Sequence, residues 1–275
     1  MRHLPRLVQA VDQLVINWHA TEVCNYRCDY CYAKWSDKQD LREIIHDPYK
    51  SKLLLKKLYQ YFQPNNIQNP LSNVLRWKSV RLNIAGGEPT LYKEKLIYIL
   101  EQARSVGFDT SIITNGSASS DLSFMHTLSN LVSMIGISID SSSQEDNTVI
   151  GRENKRGEQL GVDDLVKALA VARSVNPDIV VKLNSVINHV NYLSDMNDMV
   201  RKLQPNKWKV LRVLPVITNA LSITDQEFRG FVERHSSLSE CMVVEDNQDM
   251  TESYIMVDPP LCQDSCRLYL LKDSG

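Results

Sequence analysis

Apolar positions along the chain switch between two periods. Short runs rich in β-branched and aromatic residues occur at Leu14–Trp18, Arg81–Ile84, Thr110–Thr114, Ile135–Ile139, Ile179–Ile187 and Lys207–Val213, and each has the length of a strand. Between them the spacing becomes helical. Residues 49–62 carry apolar side chains at 49, 53, 54, 58, 61 and 62, one stripe along a helix. Leu91–Val106, Asp121–Val132, Asp163–Val175, Ser194–Leu203 and Asp225–His235 are further predicted helices. Several open on Asp or Ser, whose oxygens accept from the unpaired N–H groups of a first turn, and Gly107 is a helix stop. Strands alternating with helices predict six βα units and a parallel sheet, an α/β fold either partly closed as a barrel or open and doubly wound. In both, ligands bind at the carboxyl ends of the strands, so chemistry belongs just past each strand. Residues 65–73 (NNIQNPLSN) predict a surface loop.

Composition narrows the class. The 275 residues are 43% hydrophobic and 23% charged, which is globular and fits one or two domains. The net charge of −2 leaves no overall basic field to gather nucleic acid or an anionic membrane. An anionic ligand must therefore meet a local cluster. The longest stretch free of Asp, Glu, Lys and Arg, residues 122–139, contains serines, a threonine, an asparagine and a histidine, too polar for a membrane span. The first residues lack the long apolar core of a signal peptide. A cytoplasmic protein is expected, whose six cysteines stay reduced and, where closely spaced, serve metal or catalysis.

Cys24-Asn25-Tyr26-Arg27-Cys28-Asp29-Tyr30-Cys31 follows the first predicted strand. Three thiolates on one tight loop can ligate three irons of a 4Fe-4S cluster, leaving the fourth iron open to a substrate. A zinc site with His19 as fourth ligand, or structural cysteines, are the bland alternatives, although zinc knuckles use a second, distant ligand pair. The second strand runs into Gly86-Gly87-Glu88-Pro89. Here the glycines permit close backbone approach to a ligand, Glu88 offers an acceptor for an ammonium group, and Pro89 suits the first turn of a helix. Asn115-Gly116 follows the third strand and Ser138 lies in the fourth. Lys182 and Asn184 alternate with Leu183, so both point to one face, and a Lys inside a barrel is costly unless it meets an anion. Arg81, Lys209 and Arg152 come from other strands or loops. These four cations can converge on a triphosphate. Cys241, Cys262 and Cys266 are too loosely spaced for a second cluster and lack a fourth ligand, so they read as incidental thiols.

The cysteine spacing, with Tyr30 before the third cysteine, resembles the cluster loop of the radical S-adenosylmethionine (SAM) superfamily. That resemblance implies a partial (βα)6 TIM-like barrel and an open iron that chelates the amino and carboxylate groups of SAM. It also implies that Tyr30 flanks the adenine, that Gly86, Gly87, Glu88 and Pro89 form the amino-group loop, and that Asn115 and Ser138 lie near the SAM ribose or carboxylate. Longer strings narrow it further: Cys24-Asn25-Tyr26-Arg27-Cys28, Ile150-Gly151-Arg152, Lys182 to Asn188, Trp208-Lys209-Val210 and Ser253-Tyr254 resemble the viperin family. The likeness runs from about residue 14 to about residue 258.

The viperin resemblance implies an antiviral enzyme that turns a nucleoside triphosphate (CTP, UTP or GTP) into its 3′-deoxy-3′,4′-didehydro analogue, a chain terminator. In that reaction SAM is cleaved to methionine and 5′-deoxyadenosine. Arg81, Arg152, Lys182 and Lys209 would hold the triphosphate, Asn184 would contact the nucleotide, and Tyr254 would donate the final hydrogen. Residues 1–215 would form the barrel core, and residues 216–275 a C-terminal extension over the nucleotide, shorter than the family's usual tail. The membrane anchor of animal viperins is not expected here. The implied partners are the nucleotide and an electron donor such as flavodoxin or ferredoxin, acting on a monomer. Two other classes compete. One is a radical SAM enzyme acting on a peptide or other small molecule, favoured if Cys241, Cys262 and Cys266 bound iron. The other is a non-catalytic iron-sulfur protein, against which the Gly86-Gly87-Glu88-Pro89 loop argues.

Overall fold

In the computed structural model the described residues are 9–31, 40–215, 218–246, 255–258 and 269–270. The predicted alternation appears in chain order as β1 (Gln9–Thr21), α1 (Pro48–Phe62), β2 (Leu75–Gly86), α2 (Lys93–Val106), β3 (Asp109–Thr114), α3 (Leu122–Leu131) and β4 (Met134–Ser138). It continues as α4 (Gln144–Ile150), α5 (Val162–Val175), β5 (Val180–Ile187), α6 (Asn197–Leu203), β6 (Lys207–Arg212), α7 (Asp225–Arg234), β7 (Met242–Glu245), β8 (Ile255–Val257) and β9 (Tyr269–Leu270). The strands form one sheet in the order β7-β6-β5-β4-β3-β2-β1-β8-β9. All neighbours are parallel except β8 and β9. The parallel strands curl into a half-barrel with the helices outside, the partial TIM-like barrel expected from the resemblance.

Local chemistry sets the helix ends. Asp47, Asp121 and Ser143 accept from backbone N–H groups at the starts of α1, α3 and α4. Thr224 and Glu227 form a reciprocal capping box on α7. Gly107 ends α2 with φ of 114°, a left-handed conformation that favours glycine. The short helix α4 was not predicted, because only Asn147 and Ile150 of its seven residues are buried and it has no apolar stripe to read. β1 and β2 also begin earlier than predicted. Their first residues, Gln9–Val11 against Leu75–Trp77, pair before β3 joins β2 at Asp109 opposite Arg81.

The two faces of the sheet differ in kind. In β5, Val181, Leu183, Ser185 and Ile187 are buried and Val180, Lys182, Asn184 and Val186 are half-buried. The buried set faces the helices with Ile16, Trp18, Leu82, Ile84, Ile112, Ile135, Ile137 and Trp208, a single apolar core. Trp208 sits edge-on to Phe231 and His235, and its indole N–H donates to Ser185 Oγ. The opposite, concave face is polar. Asn83 donates to Asn17 at 2.8 Å and accepts from Ser111 at 2.7 Å, joining three strands in one row. Arg81, Lys182, Asn184 and Lys209 lie on this face. Among the described residues, no helix is long and apolar enough to cross a membrane.

Candidate active site

The cysteine loop leaves the end of β1 and is clamped from both sides. On one side the Gly87 N–H donates to Thr21 O (2.8 Å) and the Glu88 N–H to Val23 O (2.7 Å). On the other the Arg27 N–H donates to Gly151 O and the Asp29 N–H to Ile150 O, both at 3.0 Å. A Cβ on Gly87 would run into the Val23 carbonyl, and one on Gly151 into the Arg27 carbonyl. The glycines are thus needed for backbone to approach backbone around the loop, rather than for approach to a ligand alone. Arg27 tightens the loop further by donating to the carbonyls of Cys24 and Tyr26.

Cys24, Cys28 and Cys31 open into one cavity of about 170 Å3. Its wall holds Tyr30, Gly86, Gly87, Asn115 and Ser138 from the sequence-predicted set. Burial pushes the Cys24 thiol up to about 12 and raises Cys28 as well, so thiolates here call for a cationic partner. Among the described residues, no three His, Cys, Asp or Glu side chains converge as ligands of one metal ion. Three thiols on the wall of one cavity are the donor set that three irons of a 4Fe-4S cluster would take.

Glu88 and Pro89 lie behind the cavity rather than in its wall. Glu88 is fully buried, and its carboxylate accepts from the Thr90 N–H and hydroxyl, the Thr114 hydroxyl and the Asn115 N–H. It ties the end of β2 to the end of β3, with three donors on Oε1 and one, the Asn115 N–H, on Oε2. Pro89 starts a short 3-10 turn, for which Glu88 is the cap. The Asn115 amide donates to Asn25 Oδ1 at 2.8 Å and lies 4.0 Å from Cys24 Sγ, joining the β3 end to the cysteine loop.

The four predicted cations divide into two groups. Arg152 is in the cavity wall, buried, with Nη1 2.9 Å from Tyr30 Oη and 3.8 Å from Cys28 Sγ. It pairs with Asp140 at 3.4 Å and donates to the Ser138 carbonyl. Arg81, Lys182 and Lys209 form the other group. Burial, then the charges of Lys209, Lys207 and Arg81, pull the Lys182 ammonium down to about 8 against the opposing pull of Glu245. Lys182 has no ion pair among the described residues, whereas Lys209 pairs with Glu245. Burial also lowers Arg81, and its Nε has no hydrogen-bond partner among the described residues. Asn184 is the register neighbour of both Ser138 and Lys209, so it stands between the two groups.

Asp140 and Asn25 were missed in the sequence. Asp140 sits two residues past Ser138 at a strand end, where ligand-binding groups gather, but a run of serines hid it. Tyr254, Cys262 and Cys266 lie outside the described residues. Cys241 is half-buried and its thiol donates to Leu238 O.

The Radical SAM superfamily profile matches residues 18–203. The chain is 37% identical to an S-adenosylmethionine-dependent nucleotide dehydratase of Pseudoalteromonas ulvae, over 91% of this chain and 80% of that protein. A dehydratase of the same name from Psychrobacter lutiphocae is 36% identical over 91% of this chain and 81% of its own length. Among solved structures, SuiB of Streptococcus suis bound to S-adenosylmethionine superposes with a TM-score of 0.60 at 14% identity, covering 90% of this chain and 58% of that one. The last likeness is one of fold. Together with the cysteine cavity and its clamps, these matches show that the chain belongs to the radical SAM superfamily and, within it, to the family of S-adenosylmethionine-dependent nucleotide dehydratases.

Proposed function

We propose that this chain dehydrates a nucleoside triphosphate (CTP, UTP or GTP) to its 3′-deoxy-3′,4′-didehydro analogue, which would serve antiviral defence by terminating polymerase chains. The observation that carries the reading is Lys182, an ammonium on the concave face with no ion pair among the described residues, set among Arg81, Lys207 and Lys209, whose repulsion outweighs the pull of Glu245. A cation among other cations in a half-buried site is unfavourable until an anion of high charge arrives. A triphosphate suits it.

In this reading Cys24, Cys28 and Cys31 hold a 4Fe-4S cluster, and SAM lies against Tyr30, Gly86, Gly87, Asn115 and Ser138. Once bound, the cofactors would supply a 5′-deoxyadenosyl radical, the chemistry needed to take hydrogen from ribose C4′ and so start the loss of water from the 3′ position. The chain's own part is placement. Glu88 fixes the ends of β2 and β3 together, so the glycine loop and Asn115 keep one relation to the cysteines. The Gly87 and Gly151 clamps hold the loop itself. Lys182, Arg81 and Lys209 hold the phosphates, with Asn184 between them and the cavity wall, so the ribose faces the radical source. Tyr254 is the proposed hydrogen donor at the close. The proposal includes a cytosolic monomer reduced by a flavodoxin- or ferredoxin-type donor, in line with cysteines that must stay reduced to bind iron.

The experiment is anaerobic. The protein is reconstituted with iron and sulfide and given SAM, reductant and CTP, UTP, GTP or ATP separately, with 5′-deoxyadenosine and nucleotide mass followed. One nucleotide lighter by a water is the expected result. SAM cleavage with every triphosphate untouched would overturn the nucleotide reading and leave the superfamily assignment in place.

A further inference from the structure

We propose that the buried Arg152–Asp140 pair, bridged by the Tyr30 phenol, tunes the reduction potential of the cluster through Cys28. This rests on the reading that Cys24, Cys28 and Cys31 hold a 4Fe-4S cluster. Arg152 then acts as a positioning residue of the cysteine loop, apart from the triphosphate group in which its sequence pattern placed it.

The geometry is specific. The side chains of Arg152 and Asp140 are 6% and 1% exposed. One guanidinium nitrogen, Nη1, faces three acceptors: Tyr30 Oη at 2.9 Å, Asp140 Oδ2 at 3.4 Å and Cys28 Sγ at 3.8 Å. The other, Nη2, donates to Ser138 O at 2.5 Å, which pins the plane of the guanidinium. The Tyr30 hydroxyl donates in turn to Asp140 Oδ2 at 2.5 Å. Asp140 is itself immobilised, because Oδ1 accepts from the Val186 N–H and its backbone carbonyl accepts from Asn191 Nδ2, both at 2.9 Å. The guanidinium therefore cannot swing away from the sulfur. A fork that meets the end of β4, Asp140 and the cysteine loop at once is a task for Arg rather than Lys.

The charges act on the cluster with opposite sign. Hydrogen bonds to cluster sulfurs and net charge nearby set the potential of an iron-sulfur centre. An N–H and a positive charge at Cys28 favour the reduced, more negative state and raise the potential. Asp140 offsets this, and in a buried site neither charge is well screened. The cation is the member in contact with the sulfur. Gly151, whose carbonyl clamps Arg27, immediately precedes Arg152 in the chain, so one turn both holds the loop and delivers the charge.

The test is the midpoint potential of the reconstituted, full-length protein by anaerobic redox titration followed by electron paramagnetic resonance. Arg152→Gln is expected to move the potential to more negative values and Asp140→Asn to more positive ones. Arg152→Lys, which keeps the charge and loses the fork, falls between Arg152→Gln and wild type. A purely structural role has no reason to reverse the sign between the two charge removals. Equal potentials, or shifts of the same sign, overturn the inference. Should the two charge removals load no cluster, Arg152→Lys decides: a potential more negative than wild type supports the proposal and an unchanged potential refutes it. Wild-type protein that binds no 4Fe-4S cluster would overturn the parent reading too, an outcome separate from loaded wild type with unresponsive variants.

Discussion

Replacing Lys182 with Met should make the ligand-free protein more stable and a poorer nucleotide binder at once. The ammonium sits at about 8 in the fold against an ordinary 10.5, because burial and three neighbouring cations disfavour its charge. At about 1.4 kcal/mol per pKa unit, holding that charge at pH 7 costs up to about 3 kcal/mol, and solvent at the open face trims this to roughly 1–2 kcal/mol. Met keeps the apolar stem and removes the cost, so the midpoint of thermal unfolding should rise by roughly 2–8 °C. The binding side runs the other way. A charge-assisted contact to phosphate is worth about 1.5–3 kcal/mol, so the variant should bind triphosphate roughly 10- to 150-fold more weakly. The pH dependence follows from the same shift. Between about 8 and 10.5 the unfolded chain holds the proton that the folded one has lost, so wild-type stability rises with pH across that window and the variant lacks the rise. A bound triphosphate restores the proton. Calorimetry at pH 8 in two buffers of different ionisation enthalpy should therefore show uptake of about half a proton per site from this group, absent in the variant. A Lys182→Met protein that is clearly less stable than wild type without nucleotide, or that keeps the wild-type stabilisation by triphosphate, would refute the reasoning.

Three further outcomes are expected. Glu88→Gln keeps the shape but turns an NH2 toward the donors of Thr90, Thr114 and Asn115, which should cost about 2–4 kcal/mol in urea unfolding and weaken SAM binding; wild-type stability would show the hub to be dispensable. Gly87→Ala drives a Cβ into the Val23 carbonyl, so iron content after reconstitution should drop well below that of wild type even in protein that remains folded by circular dichroism. His235 is buried and neutral, accepting from the Met196 N–H and donating to Phe231 O, and burial holds it below its ordinary 6.5. Its share of stability is present above the ordinary value of about 6.5 and is lost as pH falls from there through the lower value it holds in the fold, so His235→Gln should flatten the decline in unfolding free energy between pH 7 and pH 5.

The local order of this protein was legible along the chain. Strand and helix periods, the Asp121 cap and the Gly107 stop are short-range effects, decided within a few residues, and the structure returns six strands and six helices near their predicted places, although α5, α6 and α7 are capped by Gly161, Met196 and Thr224 rather than by the Asp163, Ser194 and Asp225 that open their predicted spans. The cysteine loop, the glycine loop and Asn115 could be named for a similar reason, since each lies just past a strand and the parallel arrangement brings strand ends together. Tertiary structure alone decided what those groups meet. Arg152 and Lys182 look alike in sequence, yet the Gly151 turn carries one to Cys28 and Asp140, while register places the other beside Lys207 and opposite Gly136. Glu88 reads in sequence as a ligand group, and only the β2–β3 geometry shows the four protein donors gathered on its carboxylate. Asp140 gives no local signal, because its importance comes from Tyr30, 110 residues earlier, and from Val186 on the next strand. Periodicity says which face of a strand a residue occupies. The partner on that face depends on the register between strands and on loops returning over the barrel, long-range facts that no window of sequence contains.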